Sequence, residues 1–282
     1  MKVTTEANWK HDVRHRFSES GSARRWSEMY GGETDSPEEH FFRRRRDFTV
    51  QHLLAHCGPD ARILDLGCGS GPVTAALRRA GRQVIALDYS LDMLRLAGER
   101  MEREGQRASS FLQGDSERLP FPSGTFDAVV CLGVISYVRD YRSVLREVRR
   151  ILTPEGRLVL SSRNEWNPRF SDPVRPVKEA VRWLRQPRGG SRKMVIGRFL
   201  SPFQVERRLR EVGFAIDRFT GMGFGPPRFN RREVLSASAS IRLSDGLERL
   251  AARLGSTVPY RWLAYVNLWV CRNETRSLSA EN

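Results

Sequence analysis

A chain of 282 residues with 39% hydrophobic content is long enough for one large α/β domain with insertions, or for two small domains. No apolar run is long enough to span a bilayer, the longest being residues 128–135, and the N-terminus carries no apolar core of the signal-peptide type. The formal charge of +15 rests on 48 Lys and Arg, of which only Lys2, Lys10, Lys178 and Lys193 are lysine. Because the arginines are spread widely, ordinary surface solvation ranks ahead of an anionic partner such as nucleic acid or an acidic membrane. Cys57, Cys68, Cys131 and Cys271 lack C-x-x-C spacing and read as free thiols in a reducing cytoplasm.

Residues 1–56 read as a helical preface. The run Arg43, Arg44, Arg45 and Arg46 precedes Phe48, Val50, Leu53 and Leu54 at roughly helical spacing, which predicts a helix packed on a sheet with a basic face. Trp9, Phe17, Trp26 and Tyr30 punctuate the earlier part, and packing onto the domain is their simplest role. His11, His15, His40, His52 and His56 all lie here without metal-ligand spacing, so no metal site is expected.

A strand–helix alternation follows. Strands are expected at 63–66, 84–87, 109–113, 126–132 and 157–161, with helices at 73–80, 91–103 and 141–152. In the second helix Leu91, Leu94, Ala97 and Met101 share a face; in the third, Val144, Leu145, Val148 and Ile151 do. Such alternation means a parallel sheet covered on both faces. Prolines and glycines break the rhythm over 163–200 around one short helix near 177–184, rich in arginine and flanked by Trp183. That helix suits a peripheral membrane contact over 173–198, behind the simpler reading of an ordinary surface helix of an arginine-rich chain. A helix over 203–212 follows, with Ser201 as N-cap and Gly213 as stop, then a strand over 214–219. The apolar, glycine-rich stretch 221–229 leads to helical sequence over 231–254, a last strand over 261–271 and a polar tail over 274–282.

The chemistry concentrates in residues 61–71, ARILDLGCGSG. A short apolar run ends at Asp65, then Gly67, Gly69 and Gly71 precede Pro72 at a first helical position. Strand, glycine turn and helix place a ligand at the carboxyl end of a parallel strand. The G-x-G-x-G spacing puts Pro72 where a dinucleotide fingerprint wants its last glycine, and the absence of G-K-S/T excludes a P-loop. Asp65 repels a pyrophosphate and suits a ligand with an amino group and no phosphate.

Five stretches run in one order between 61 and 162: 63–74 (ILDLGCGSGPVT), 84–90 (VIALDYS), Gly114 with Asp115, 119–138 (LPFPSGTFDAVVCLGVISYV) and 145–161 (LREVRRILTPEGRLVLS). On these the chain resembles the class I S-adenosyl-L-methionine (SAM)-dependent methyltransferases, in particular the small-molecule, type 11-like group related to ubiquinone and menaquinone biosynthesis. The resemblance implies an α/β, Rossmann-like, seven-stranded, mostly parallel sheet with an antiparallel last strand and helices on both faces. It further implies a helical N-terminal lid (1–56, with Tyr30 as a contact) and a SAM-dependent domain over 57–273. Within that domain, insertions at 163–200 and 220–259 after strands five and six would build the acceptor pocket, with 221–229 at its rim.

For the cofactor SAM, the resemblance puts Asp88 on the ribose hydroxyls, with Tyr89, Ser90 and Met93 flanking the adenosine. Asp115 and Ser116 would meet the adenine, and Asp65, Gly67, Cys68, Gly69 and Gly71 would border the methionine moiety. Leu132 would line the side nearest the sulfonium. Any one of the aspartates alone is as readily a turn or cap residue. Where relatives often carry Glu-His or His-His, this chain has Ser136 and Tyr137, so no catalytic residue is assigned and Tyr137 reads as packing. The implied activity is methylation, most often at oxygen, of a small or amphipathic quinone-, polyketide- or lipid-like acceptor, in the cytoplasm or at the inner face of a membrane. The alternatives are an RNA methyltransferase, which the charge favours and the absence of an N-P-P-Y motif disfavours, and a non-catalytic SAM-binding scaffold.

Overall fold

The structure, a computed structural model, describes residues 6–18, 23–30, 36–106, 110–164, 198–223, 228–229, 232–233, 235–254 and 264–274. Helices α1 (Glu6–Arg16), α2 (Ala23–Glu28) and α3 (Pro37–His56) lead into β1 (Arg62–Leu66), α4 (Pro72–Arg79), β2 (Gln83–Asp88), α5 (Leu91–Arg103) and β3 (Ser110–Gln113). Next come β4 (Phe126–Leu132), a 3-10 turn (Val134–Ser136), α6 (Tyr141–Ile151), β5 (Leu152–Arg163), α7 (Pro202–Val212) and β6 (Phe214–Met222). A short antiparallel pair, β7 (Arg228–Phe229) with β8 (Arg232–Glu233), precedes α8 (Ala237–Leu254) and β9 (Val266–Asn273).

Seven strands form one sheet in the order β3-β2-β1-β4-β5-β9-β6. β1 pairs in parallel with both β2 and β4, so the strand order reverses at β1, where open α/β sheets bind ligands at the carboxyl ends. β9 runs antiparallel to both β5 and β6. The period of two along each strand divides the core. Ile63, Ala128, Val130, Leu268 and Val270 pack with Leu53 of α3 and Val73 and Leu77 of α4. The alternate residues Leu64, Val129, Cys131, Trp269 and Cys271 pack with Val144, Leu145 and Val148 of α6 and Val205 and Leu209 of α7.

Several expectations need correction. Leu91 does not join the buried face of α5: it is 47% exposed, while Met93, Leu94, Leu96, Ala97 and Met101 are buried. Ser90 caps that helix by accepting from the Met93 amide, which places Leu91 at the first turn beside solvent. β5 is longer than expected because Leu152 already pairs with Phe126, and Arg157 pairs with Ala128 after an excursion through Glu155 at φ +61°. β6 continues to Met222 because β9 pairs with it as far as Val266, so Gly221 and Met222 are strand residues. Ser201 stands at the N-cap of α7 without a side-chain cap bond. The helical stretch anticipated from 231 begins only at Ala237. The arginine run is not simply a basic face, since Arg45 is buried. The helix expected near 177–184, with its membrane reading, lies outside the described residues.

Leu94→Ala is expected to lower the unfolding free energy by about 2–5 kcal/mol, as buried leucine truncations do. Leu91→Ala should change it by no more than about 0.5 kcal/mol. Urea denaturation of both variants checks the assignment.

Candidate functional site

The floor of the site is built where β1 ends. The Gly67 and Cys68 amides both donate to the Leu87 carbonyl, at 2.7 and 3.1 Å, which turns the chain across the end of β2. Gly67 sits at φ +69°, and the space a Cβ would need is filled by a Val134 methyl. Gly71, at φ +73°, starts α4; a Cβ there would lie 3.1 Å from the Ala97 Cβ, so this glycine serves the contact with α5.

Three carboxylates stand around this turn. Asp65 is buried, and its Oδ2 accepts from the Thr74 amide (3.1 Å) and Thr74 Oγ1 (2.6 Å), which caps the first turn of α4 from a neighbouring strand. Its Oδ1 has no hydrogen-bond partner among the described residues. Burial pushes the Asp65 carboxyl from 3.8 up to about 6, against the opposing pull of the Thr74 bonds. Asp88 faces the cavity and is otherwise enclosed by protein. Its Oδ2 accepts from the Gly69 amide (2.8 Å) and its Oδ1 from the Ser90 amide (2.9 Å). Desolvation nevertheless holds its carboxyl above the ordinary value. Asp115 accepts from the Glu117 amide (2.9 Å) and pairs through Oδ2 with Lys10 Nζ at 2.6 Å. Lys10 reaches Glu117 as well, at 3.0 Å.

Helices α1 to α3 form a roof. Trp9 Nε1 donates to the Tyr137 carbonyl (2.8 Å), and Ser90 Oγ donates to the Phe17 carbonyl (2.6 Å). The Phe17 ring meets Tyr137 edge-on at 4.9 Å, and Trp26 meets Phe42 edge-on at 5.7 Å. Arg45 enters this layer at 7% exposure. Its guanidinium donates to Tyr30 Oη (2.7 Å) and Ser161 Oγ (3.3 Å) and lies 4.7 Å from the Phe42 centroid. Its buried Nε has no partner among the described residues. At the end of β5, Arg163 donates from Nη2 to Tyr137 Oη at 2.8 Å.

Asp65, Gly67, Cys68, Gly69, Asp88, Tyr89, Ser90, Met93, Asp115, Ser116 and Leu132 all line one cavity. Gly71 does not, for the packing reason above. Tyr30 lines it too, and Tyr137 does more than pack, since its hydroxyl is engaged by Arg163. No described residue of 220–259 lines it, so the rim expected at 221–229 is not found among the described residues. Sequence reasoning missed Trp9, Lys10, Phe42, Arg45 and Arg163. A signal for Arg45 existed: Phe42, Arg45, Thr49 and Leu53 follow one another at helical steps of three and four, and all are buried. Nothing local distinguishes Arg163 from the chain's many other arginines.

Residues 64–160 match the methyltransferase domain family. The ubiquinone biosynthesis O-methyltransferase of Azorhizobium caulinodans is 30% identical over 193 residues, which covers 65% of this chain and 74% of that protein. Its counterpart in Xanthomonas axonopodis pv. citri is 28% identical over 184 residues, 65% of this chain and 75% of that protein. Among solved structures, magnesium protoporphyrin IX methyltransferase from Synechocystis PCC 6803, with bound SAH, aligns with a TM-score of 0.64 at 18% identity, covering 94% of this chain and 100% of that one. A glycine turn at the strand-order reversal, an acid at the end of β1, of β2 and just beyond β3, and these likenesses agree: the chain belongs to the class I SAM-dependent methyltransferases.

Proposed function

We propose that the chain transfers the methyl group of SAM to oxygen on a small amphipathic acceptor, of the quinol or phenol kind. The observation that carries this reading is the cavity itself, in which three aspartates and a glycine turn face an aromatic roof. Each cofactor group has a fitting partner. Asp88 keeps free lone pairs for the ribose hydroxyls while its two backbone donors fix its orientation. Asp65 offers to the amino group its Oδ1, and Arg45 meets the carboxylate with a buried Nε, neither atom having a partner among the described residues. Tyr89 and Met93 wall the adenosine, with Asp115 and Ser116 at its edge.

Bound SAM supplies an activated methyl on a good leaving group, so the protein has mainly to align the acceptor and exclude water. Trp9, Phe17, Trp26 and Phe42 cover the cavity for that purpose. No histidine stands among the described residues lining it, and the Tyr137 hydroxyl is held by Arg163. The acceptor oxygen therefore has to ionise readily, as a phenol does. The relatives named for ubiquinone biosynthesis agree with such an acceptor. The free thiols Cys57, Cys68, Cys131 and Cys271 suit a cytoplasmic enzyme, peripheral to a membrane where the acceptor is lipid-like.

Incubation with methyl-labelled SAM and a panel of alkylated catechols and quinols tests the reading. Label in an ether product, matched one-to-one by S-adenosylhomocysteine, is expected; cofactor binding with no transfer to any oxygen acceptor would defeat it. Asp88→Ala should weaken SAM binding by about 100-fold or more, the loss of two charge-assisted hydrogen bonds. Arg45→Gln should weaken S-adenosylhomocysteine by about ten-fold and leave methylthioadenosine, which lacks the carboxylate, unaffected.

Asp65 sets a pH dependence. With its folded pKa raised from 3.8 to about 6, the unliganded native state holds more protons than the unfolded chain in that window, so stability falls as pH rises through it. An ammonium beside Asp65 favours the carboxylate. SAM binding should therefore release a proton near pH 6 and weaken as pH falls further. Calorimetry at pH 6 in two buffers of different ionisation enthalpy should give different apparent heats, a difference that Asp65→Asn abolishes.

A further inference from the structure

Among the described residues four cationic side chains line the cavity, and three are accounted for. Lys10 is paired with Asp115 and Glu117. Arg14 is exposed to solvent, stacked 4.7 Å from the Tyr89 centroid. Arg45, in the reading above, takes the single carboxylate that SAM carries. Arg163 remains. It is partly covered, and among the described residues no carboxylate pairs with it. Its guanidinium lies 5.9 Å from the Trp26 centroid and 5.7 Å from those of Tyr137 and Phe199. Among the described residues its one hydrogen bond goes to Tyr137 Oη.

Position separates Arg163 from the cofactor. Ser161, two residues earlier on the same face of β5, holds Arg45, so Arg163 stands about 6–7 Å further along the strand. A guanidinium among aromatic rings is a poor place to leave a charge unpaired, and a flat anion meets its fork with two parallel hydrogen bonds. The rings beside it suit an aromatic or otherwise planar body attached to that anion.

Resting on the SAM-dependent reading of the same cavity, we propose that the acceptor carries a carboxylate, or a comparable delocalised anion, which Arg163 holds while the reacting oxygen points inward. Arg163 is thus a specificity residue. Cation–π contact alone would be a purely structural role, and it makes a different prediction.

The test uses the full chain saturated with S-adenosylhomocysteine and two probes: a dihydroxycinnamate and its neutral primary amide. Binding is followed through tryptophan fluorescence, with Trp26 as the nearby reporter. The native protein should bind the acid about ten-fold more tightly than the amide, the scale of one charge-assisted contact. Arg163→Gln should remove that preference by weakening the acid alone, and Arg163→Lys should restore part of it. Equal affinity for acid and amide in the native protein, no binding of the acid at millimolar concentration, or equal weakening of both probes in Arg163→Gln would overturn the proposal. S-adenosylhomocysteine affinity, measured separately on each variant, stays at the native value if Arg163 serves the acceptor. Failure of the native chain to bind that cofactor product would count against the broader reading instead.

Discussion

The Asp88 carboxylate draws together two backbone amides that lie far apart in local geometry, Gly69 in the glycine turn and Ser90 at the start of α5. Each bond is charge-assisted and shielded, and together they hold the mouth of the β1–α4 turn against the end of β2. Ser90, fixed this way, can cap α5 and at the same time donate from Oγ to the Phe17 carbonyl. One carboxylate thus sets the floor, starts a helix and gives the roof an attachment. The cost of desolvating it shows in its raised carboxyl, a strain that a ligand offering hydroxyl donors would relieve.

The roof depends on the floor at several separate points. Lys10 clasps Asp115 and Glu117 beyond β3, Trp9 bonds the Tyr137 carbonyl beyond β4, and Arg45 bonds Ser161 on β5. Each tie crosses from an N-terminal helix to the carboxyl end of a different strand. Among the residues of α1 whose burial is described, Trp9 is the buried hydrophobic one. The helix's placement therefore rests on polar ties and a few rings, which are weaker than core packing and suited to an element that must admit a cofactor. On the other side of α3, Arg44 reaches Asp245 and Glu248 of α8, so the central roof helix is anchored outside the cavity as well.

The central alternation was legible in the residues because β1, β2 and β4 are short, largely apolar runs, each with a glycine close to at least one end. Phe126–Leu132 matched the strand expected at 126–132, and α5 matched the helix expected at 91–103. The three acids that line the cavity were legible for a related reason: each closes a strand or follows one directly, so local sequence fixes its place. What local sequence could not carry was long-range pairing. β6 runs on to Met222 only because β9 lies beside it, and the roof of the cavity is formed by residues brought from α1, α2, α3 and the end of β5. Arg45 illustrates the point. Within a run of four arginines its charge suggests solvent, while its phase on α3 directs it inward, and the phase prevails because Tyr30, Phe42 and Ser161 supply partners.

The account stands on one claim, that a SAM-type ligand occupies the space between the glycine turn and the N-terminal helices. Hydrogen–deuterium exchange with and without S-adenosylhomocysteine tests it most directly. The account predicts slowed exchange over 67–71, at Ser90 and Glu117, and along α1, whose ties to Asp115 and Tyr137 the ligand would reinforce. Unchanged exchange there at saturating ligand, or protection confined to the arginine-rich face of α6 and α7, would contradict it.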